Sequence, residues 1–142
     1  MKKTSSYRSR IVTGAMLIAV GMLSACSNMP PLSSAPEDIV KFRAQQRWDA
    51  HVAGEWETVY SFATPSYRAL RPFVHFRGTI GSAVSWTKAE VVSVECAEEA
   101  CSARVKLDFR SAVRPGVSEE SSTYISEKWV LEDGQWYFHP KR

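Results

Sequence analysis

Residues 91–110, VVSVECAEEACSARVKLDFR, decide the fold. Val92, Val94 and Cys96 alternate with Ser93 and Glu95. After Ala97-Glu98-Glu99-Ala100, the residues Cys101, Ala103, Val105, Leu107 and Phe109 alternate with Arg104, Lys106, Asp108 and Arg110. Successive side chains of a strand point to opposite faces, so a period of two predicts strands with one buried and one solvated face. The short connection makes the pair antiparallel. Both cysteines fall on the apolar parity at the two ends of the turn, where a cross-strand disulfide is sterically allowed.

Downstream, Arg114-Pro115-Gly116 starts a loop, and a third strand is expected over 122–131. A fourth, over 135–139, follows Glu132-Asp133-Gly134, whose Asp-Gly pair is a strong tight-turn signal. Trp129, Trp136 and Phe138 give the sheet an aromatic face on which helices can pack. Upstream, Gly78 and Gly81 weaken both regular readings of 73–84, which is expected to be loop or a short irregular helix.

Before that the period changes to that of a helix. One is expected over 36–53. Ser34 and Glu37 have capping-box spacing, and Glu37 and Asp38 lie where the helix dipole favours anions. Val40, Ala44, Trp48 and Val52 form an i, i+4 row, widened by Ile39 and Phe42, and Gly54 ends the helix. A shorter second helix carries Trp56, Val59, Tyr60 and Ala63. It breaks at Thr64-Pro65-Ser66, because the residue before proline leaves the helical region. Residues 66–70 supply one further turn. Helices first and an antiparallel meander second mean an α+β domain, with helices covering one face of a four-stranded sheet.

Ahead of this domain lies a different kind of sequence. Lys2, Lys3, Arg8 and Arg10 precede the apolar stretch IVTGAMLIAVGMLSAC, residues 11–26, with no acidic residue among them. A basic start, a short apolar run and small residues before a cut site describe a secretory signal peptide over 1–25. The run of about 13 apolar or small residues is too short to span a bilayer, which takes roughly 20. Leu23-Ser24-Ala25-Cys26 resembles the lipobox of bacterial lipoproteins. The resemblance implies that Cys26 is acylated and becomes the mature N-terminus, anchored by lipid to the membrane. Ser27, where aspartate would signal inner-membrane retention in enteric-type sorting, points to the outer membrane, facing the periplasm. Residues 26–36 continue as a Pro/Ser linker, with Pro30, Pro31 and Pro36 favouring extended chain. The domain then occupies 37–142.

The address changes the meaning of the charges and cysteines. The whole chain has 18 basic and 15 acidic residues, but 4 of the basic ones belong to the leader, leaving 14 against 15. A net charge of −1 removes the basic surface that nucleic-acid binding requires. Of the 3 cysteines, lipid uses Cys26. Cys96 and Cys101 remain as an even pair in an oxidising compartment, which favours a structural disulfide. A metal pair is the weaker reading, since Cys-x4-Cys is not a usual zinc spacing and no second ligand cluster lies nearby. No cofactor is implied.

Arg47-Trp48-Asp49-Ala50, Gly54-Glu55-Trp56-Glu57, Tyr60-Ser61-Phe62 and Thr64-Pro65-Ser66-Tyr67-Arg68 resemble the N-terminal helices of NTF2-like (SnoaL-like) domains. Glu127-Lys128-Trp129-Val130 and Asp133-Gly134-Gln135-Trp136-Tyr137-Phe138 are similar to that superfamily's last hairpin. The resemblance implies a cone: a curved four-stranded antiparallel sheet wrapped on helices, often with a pocket in its concave face. The alternative is the helix-helix-three-strand module of BamE-like outer-membrane assembly factors, whose glycine-centred helix motif has no clear counterpart here.

No catalytic set assembles from the sequence. There is no Gly-x-Ser-x-Gly elbow, phosphate loop or His-Glu-x-x-His, and His51, His75 and His139 read as packed or surface histidines. Glu127 is the exception to the strand pattern. Thr123, Ile125, Glu127, Trp129 and Leu131 share one parity, so a carboxylate interrupts an apolar row. Buried there, it is either paired with Arg104, Lys106 or a helix arginine such as Arg47, or it is a perturbed acid in a pocket. The aromatic residues Trp48, Trp56, Tyr60, Tyr67 and Trp129 read as core, or with Glu127 as the lining of a small-ligand pocket. The leading expectation is a lipid-anchored, non-enzymatic periplasmic module that binds a small ligand or an envelope protein. The alternatives are a pocket enzyme using Glu127 as acid or base, with Tyr60 or Tyr67 as donor, and an envelope assembly or scaffold lipoprotein.

Overall fold

The computed structural model describes residues 35–81 and 84–141. The leader, Cys26 and the linker as far as Ser34 lie outside the described residues, while Ala35 and Pro36, expected as the linker's end, start the first helix. Among the described residues four helices, α1 (Pro36–Ala53), α2 (Trp56–Ser61), α3 (Pro65–Leu70) and α4 (Phe73–Gly78), precede four strands. These are β1 (Val84–Ala97), β2 (Ala100–Arg114), β3 (Val117–Glu132) and β4 (Gln135–His139), all antiparallel and ordered β1-β2-β3-β4. The domain is α+β, as the two periods in the sequence require. Four strands behind four helices do not fit a helix-helix-three-strand module. The segment 73–78, expected as loop or irregular helix, is the regular helix α4.

Helix α1 has the bounds its periodicity predicts, but it starts differently. Pro36 occupies the first helical position, where its missing N–H costs nothing, and this makes Ala35 the N-cap. Ala35 makes no side-chain cap bond, so the capping-box expectation is one residue out of step: Glu37 falls at the second helical position, not the third. The C-terminus closes as a Schellman motif. Gly54 sits at φ 75°, with its N–H on the His51 carbonyl and that of Glu55 on Ala50.

On β2, Cys101, Ala103, Val105 and Leu107 are buried as their alternation demands. On β1 the parity changes twice, at register shifts between Trp86 and Lys88 and between Val91 and Ser93. Each shift inserts one residue, Thr87 and then Val92, and a bulge turns the following side chains to the other face. Val91 and Ala89 are therefore the buried pair, and Val92, expected inward, is 39% exposed. Strand β3 begins at Val117, ahead of the expected 122, because Pro115-Gly116 turns the chain with Gly116 at φ 77°. The β3–β4 turn has Asp133 and Gly134 both at positive φ, as a two-residue hairpin of this twist requires.

Register stacks the inward side chains in rows. Cys96, Cys101, Trp129 and Phe138 form one, and Cys96 and Cys101 are joined as a disulfide across a 4.0 Å Cα separation. The next row is Val94, Ala103 and Glu127. Val40, Ala44 and Trp48 of α1 complete the core over these rows. Both sheet edges are partly covered. The Gln45 side chain takes up the Ala89 carbonyl and the Val91 N–H of β1, each at 3.0 Å. Residues 62–64 bond both backbone groups of Phe138 on β4.

Candidate functional site

Glu127 lies on β3 directly opposite Ala103, whose small side chain leaves space above the sheet. Arg47 fills that space from α1, one residue ahead of Trp48 in the buried face. Its Nη1 donates to Glu127 Oε1 at 2.6 Å, and the two residues are 6% and 5% exposed. The guanidinium also stacks over the Phe138 ring at 3.8 Å. Burial pushes the Glu127 carboxyl up, while the neighbouring Arg47 charge and the indoles of Trp48 and Trp129 pull it back down. Burial likewise lowers Arg47, opposed by Glu127. An arginine at this contact distance stays charged, so the pair is an ion pair. The indole N–H groups act on the carboxylate without closing to hydrogen-bond geometry, and among the described residues Glu127 Oε2, Arg47 Nε and both indole nitrogens have no hydrogen-bond partner. Of the partners weighed for Glu127, the structure selects Arg47.

The six residues expected to line one pocket separate into two groups. Trp48, Glu127 and Trp129 are interior, with Trp129 wholly buried. Trp56, Tyr60 and Tyr67 are half-buried, on the short helices. The six share no cavity among the described residues. The Tyr60 hydroxyl lies 2.7 Å from the Arg71 carbonyl and 3.2 Å from that of Arg68, so its proton fastens the end of α3 and is not free to act on a ligand. Tyr67 instead lines a cleft of about 640 Å³ between α3, α4 and the chain after β4. Trp56 lines a smaller groove of about 370 Å³ with His51, Arg77 and Trp86.

Each histidine has a distinct setting. His51 is half-buried between the rings of Trp48 and Trp56, each 4.9 Å away. Burial, then the nearby Arg47 charge, lower its pKa to about 4, so it is neutral at ordinary pH. His75 is exposed on α4, and His139 is exposed at the mouth of the larger cleft. Arg71 and Lys141 of that cleft were given no role by the sequence reading. They come from segments 70 residues apart, and nothing local links them. Among the described residues no three His, Cys, Asp or Glu side chains gather as metal ligands would. Nor is any described helix long and apolar enough to cross a membrane.

No family model and no curated protein matches this sequence. Solved structures do. The solution structure of a SEC-C motif containing protein from Rhodopseudomonas palustris is similar, with a TM-score of 0.54 and 16% identity, over 70% of this chain and 73% of that one. The association domain of C. elegans CaMKII is similar over 68% of this chain and 85% of that one, at 18% identity and a TM-score of 0.43. At such identity the likeness concerns the fold alone. That fold is NTF2-like, with the cone interior filled by Arg47, Glu127, Trp48 and Trp129.

Proposed function

We propose that this protein is a lipid-anchored, non-enzymatic module of the bacterial envelope that binds a small ligand or a partner protein on its surface. One observation carries the non-enzymatic part: the carboxylate best placed to act as acid or base is buried against Arg47 at 2.6 Å. A general acid or base must reach the proton it moves, and among the described residues the Glu127 carboxylate accepts a hydrogen bond only from Arg47. The hydroxyl expected to assist from Tyr60 is bonded to α3 carbonyls. The anchored part is supported by the leader, the lipobox-like Leu23-Ser24-Ala25-Cys26 and the Pro/Ser linker. Ser27 supports an outer-membrane position facing the periplasm.

Glu127→Gln tests this reading. In a structural role the change leaves Arg47 buried with a weaker partner, so thermal stability falls while binding, measured below the melting transition, is kept. In a catalytic role stability holds or rises while function disappears. The second outcome overturns the proposal.

A further inference from the structure

The cleft between α3, α4 and the chain after β4 is chemically one-sided. Tyr67 and Leu70 from α3 and Phe76 from α4 give it apolar walls, and Arg71, His139 and Lys141 stand around them. Among the described residues no acidic side chain lines it. Neither Arg71 nor Lys141 has a carboxylate within ion-pair distance among the described residues. Leu70 is 81% exposed, and Val74 on the neighbouring helix 71%. Exposed leucine and valine beside unpaired cations form an arrangement that isolated surface residues do not need.

The walls are also fixed in relation to one another. The Thr64 N–H donates to the Phe138 carbonyl, tying the start of α3 to β4, and Thr64 Oγ1 accepts from the Tyr67 N–H to cap the helix. At the other end the Tyr60 hydroxyl holds the carbonyls of Arg68 and Arg71, and its ring meets Phe76 at 5.3 Å. A preformed concave site with apolar walls and a few convergent polar groups is how small-molecule sites are built, and about 640 Å³ is in their usual range.

We propose that this cleft binds an anionic amphiphile. Arg71 and Lys141 hold its carboxylate or phosphate, and Tyr67, Leu70 and Phe76 take its hydrocarbon chain. The inference rests on the surface-binding reading above and names its ligand class; it does not depend on the anchor. A free acid and a bilayer headgroup offer the same chemistry, and the test separates them.

The full chain is reconstituted in phosphatidylcholine nanodiscs and labelled with a diazirine-bearing dodecanoate, and the modified residues are mapped by peptide mass spectrometry. Labelling should fall on Tyr67, Leu70 or Phe76. Dodecanoate and dodecyl phosphate should compete at least about tenfold better than dodecanol, a difference of ~1.4 kcal/mol. Arg71→Glu with Lys141→Glu should lower labelling by a similar factor, as should Leu70→Asp, and neither change should move the melting temperature, because these side chains are exposed. Replacing the disc lipid by phosphatidylglycerol identifies the source: a bilayer headgroup suppresses labelling, whereas a free acid labels as before. Equal competition by dodecanol, labelling elsewhere, or undiminished labelling of both variants overturns the proposal. Labelling lost in folded Glu127→Gln would instead count against the surface-binding reading itself.

Discussion

Glu127 and Arg47 meet where α1 crosses the sheet, and each makes the other tolerable in the core. Taking two charges out of water costs several kcal/mol per ion, and only close contact repays it. Their stability effect is therefore asymmetric. Arg47→Met should cost about 3–5 kcal/mol, because it leaves the carboxylate buried without a cation. Arg47→Met with Glu127→Leu should recover much of that loss, since an apolar pair of similar volume needs no partner. Chemical denaturation of both proteins checks this; a harmless single change would remove the pair from the core's accounting. His51 gives a pH dependence of definite sign. Its folded pKa lies near 4, below the ordinary 6.5, so the unfolded chain binds the extra proton between those values. Stability from this residue is fully present above about pH 6.5, declines as pH falls, and levels off below about 4. Because the ring is only half-buried, solvent screening keeps the effect below the full value of the shift. Urea midpoints at pH 7 and at pH 4.5 should differ less for His51→Gln than for the parent. An equal difference would assign the acid sensitivity elsewhere.

At the scale of elements, strand β1 shows what period-two reading can and cannot see. It locates the strand correctly, yet Thr87 and Val92 each add a residue that no alternation announces. A bulge is set by pairing with β2, and the partner is not written in the strand's own sequence. Helix α1 was legible because 3.6-residue spacing and Gly54 are local signals, whereas its N-cap depended on where Pro36 entered. The Gln45 contact with β1 was illegible for the same reason as the bulges. Its amide completes two backbone bonds of an edge strand, which would otherwise be open to pairing with another chain. The β1–β2 hairpin has a covalent tie as well, between cysteines 5 positions apart. Closing so short a loop stabilises by about 2–3 kcal/mol in the chain-entropy estimate. Cys96→Ser with Cys101→Ser should therefore still fold but melt lower, by some 8–24 °C at about 4–8 °C per kcal/mol for a domain of this size. Two free thiols found by alkylation of protein taken directly from the proposed periplasmic location would remove this tie.

At the scale of the molecule, the domain places a filled cone at its centre and the cleft of about 640 Å³ beside the short helices. The conflict at Glu127 was visible in one strand's parity, but the cleft was not, since it joins residues 64–79 to residues 139–141. The proposed anchoring rests on the leader and linker read from the sequence. If the chain is anchored at Cys26 as proposed, the residues between Cys26 and α1, at roughly 3 Å each when extended, would let the domain work within about 30 Å of the bilayer surface. On the proposed anchored reading lipid would supply the attachment, as the net charge of −1 left after removal of the leader gives no general attraction to anionic membranes. Several acyl chains on Cys26 would provide this, where a single chain binds only marginally. Metabolic labelling with palmitate should mark the parent protein and not Cys26→Ala, and that variant should migrate as a precursor that keeps its leader. Density-gradient fractionation should place the labelled parent with outer-membrane markers. Normal palmitate labelling of Cys26→Ala would show that the acyl acceptor is another residue, and the lipobox reading would fail with it.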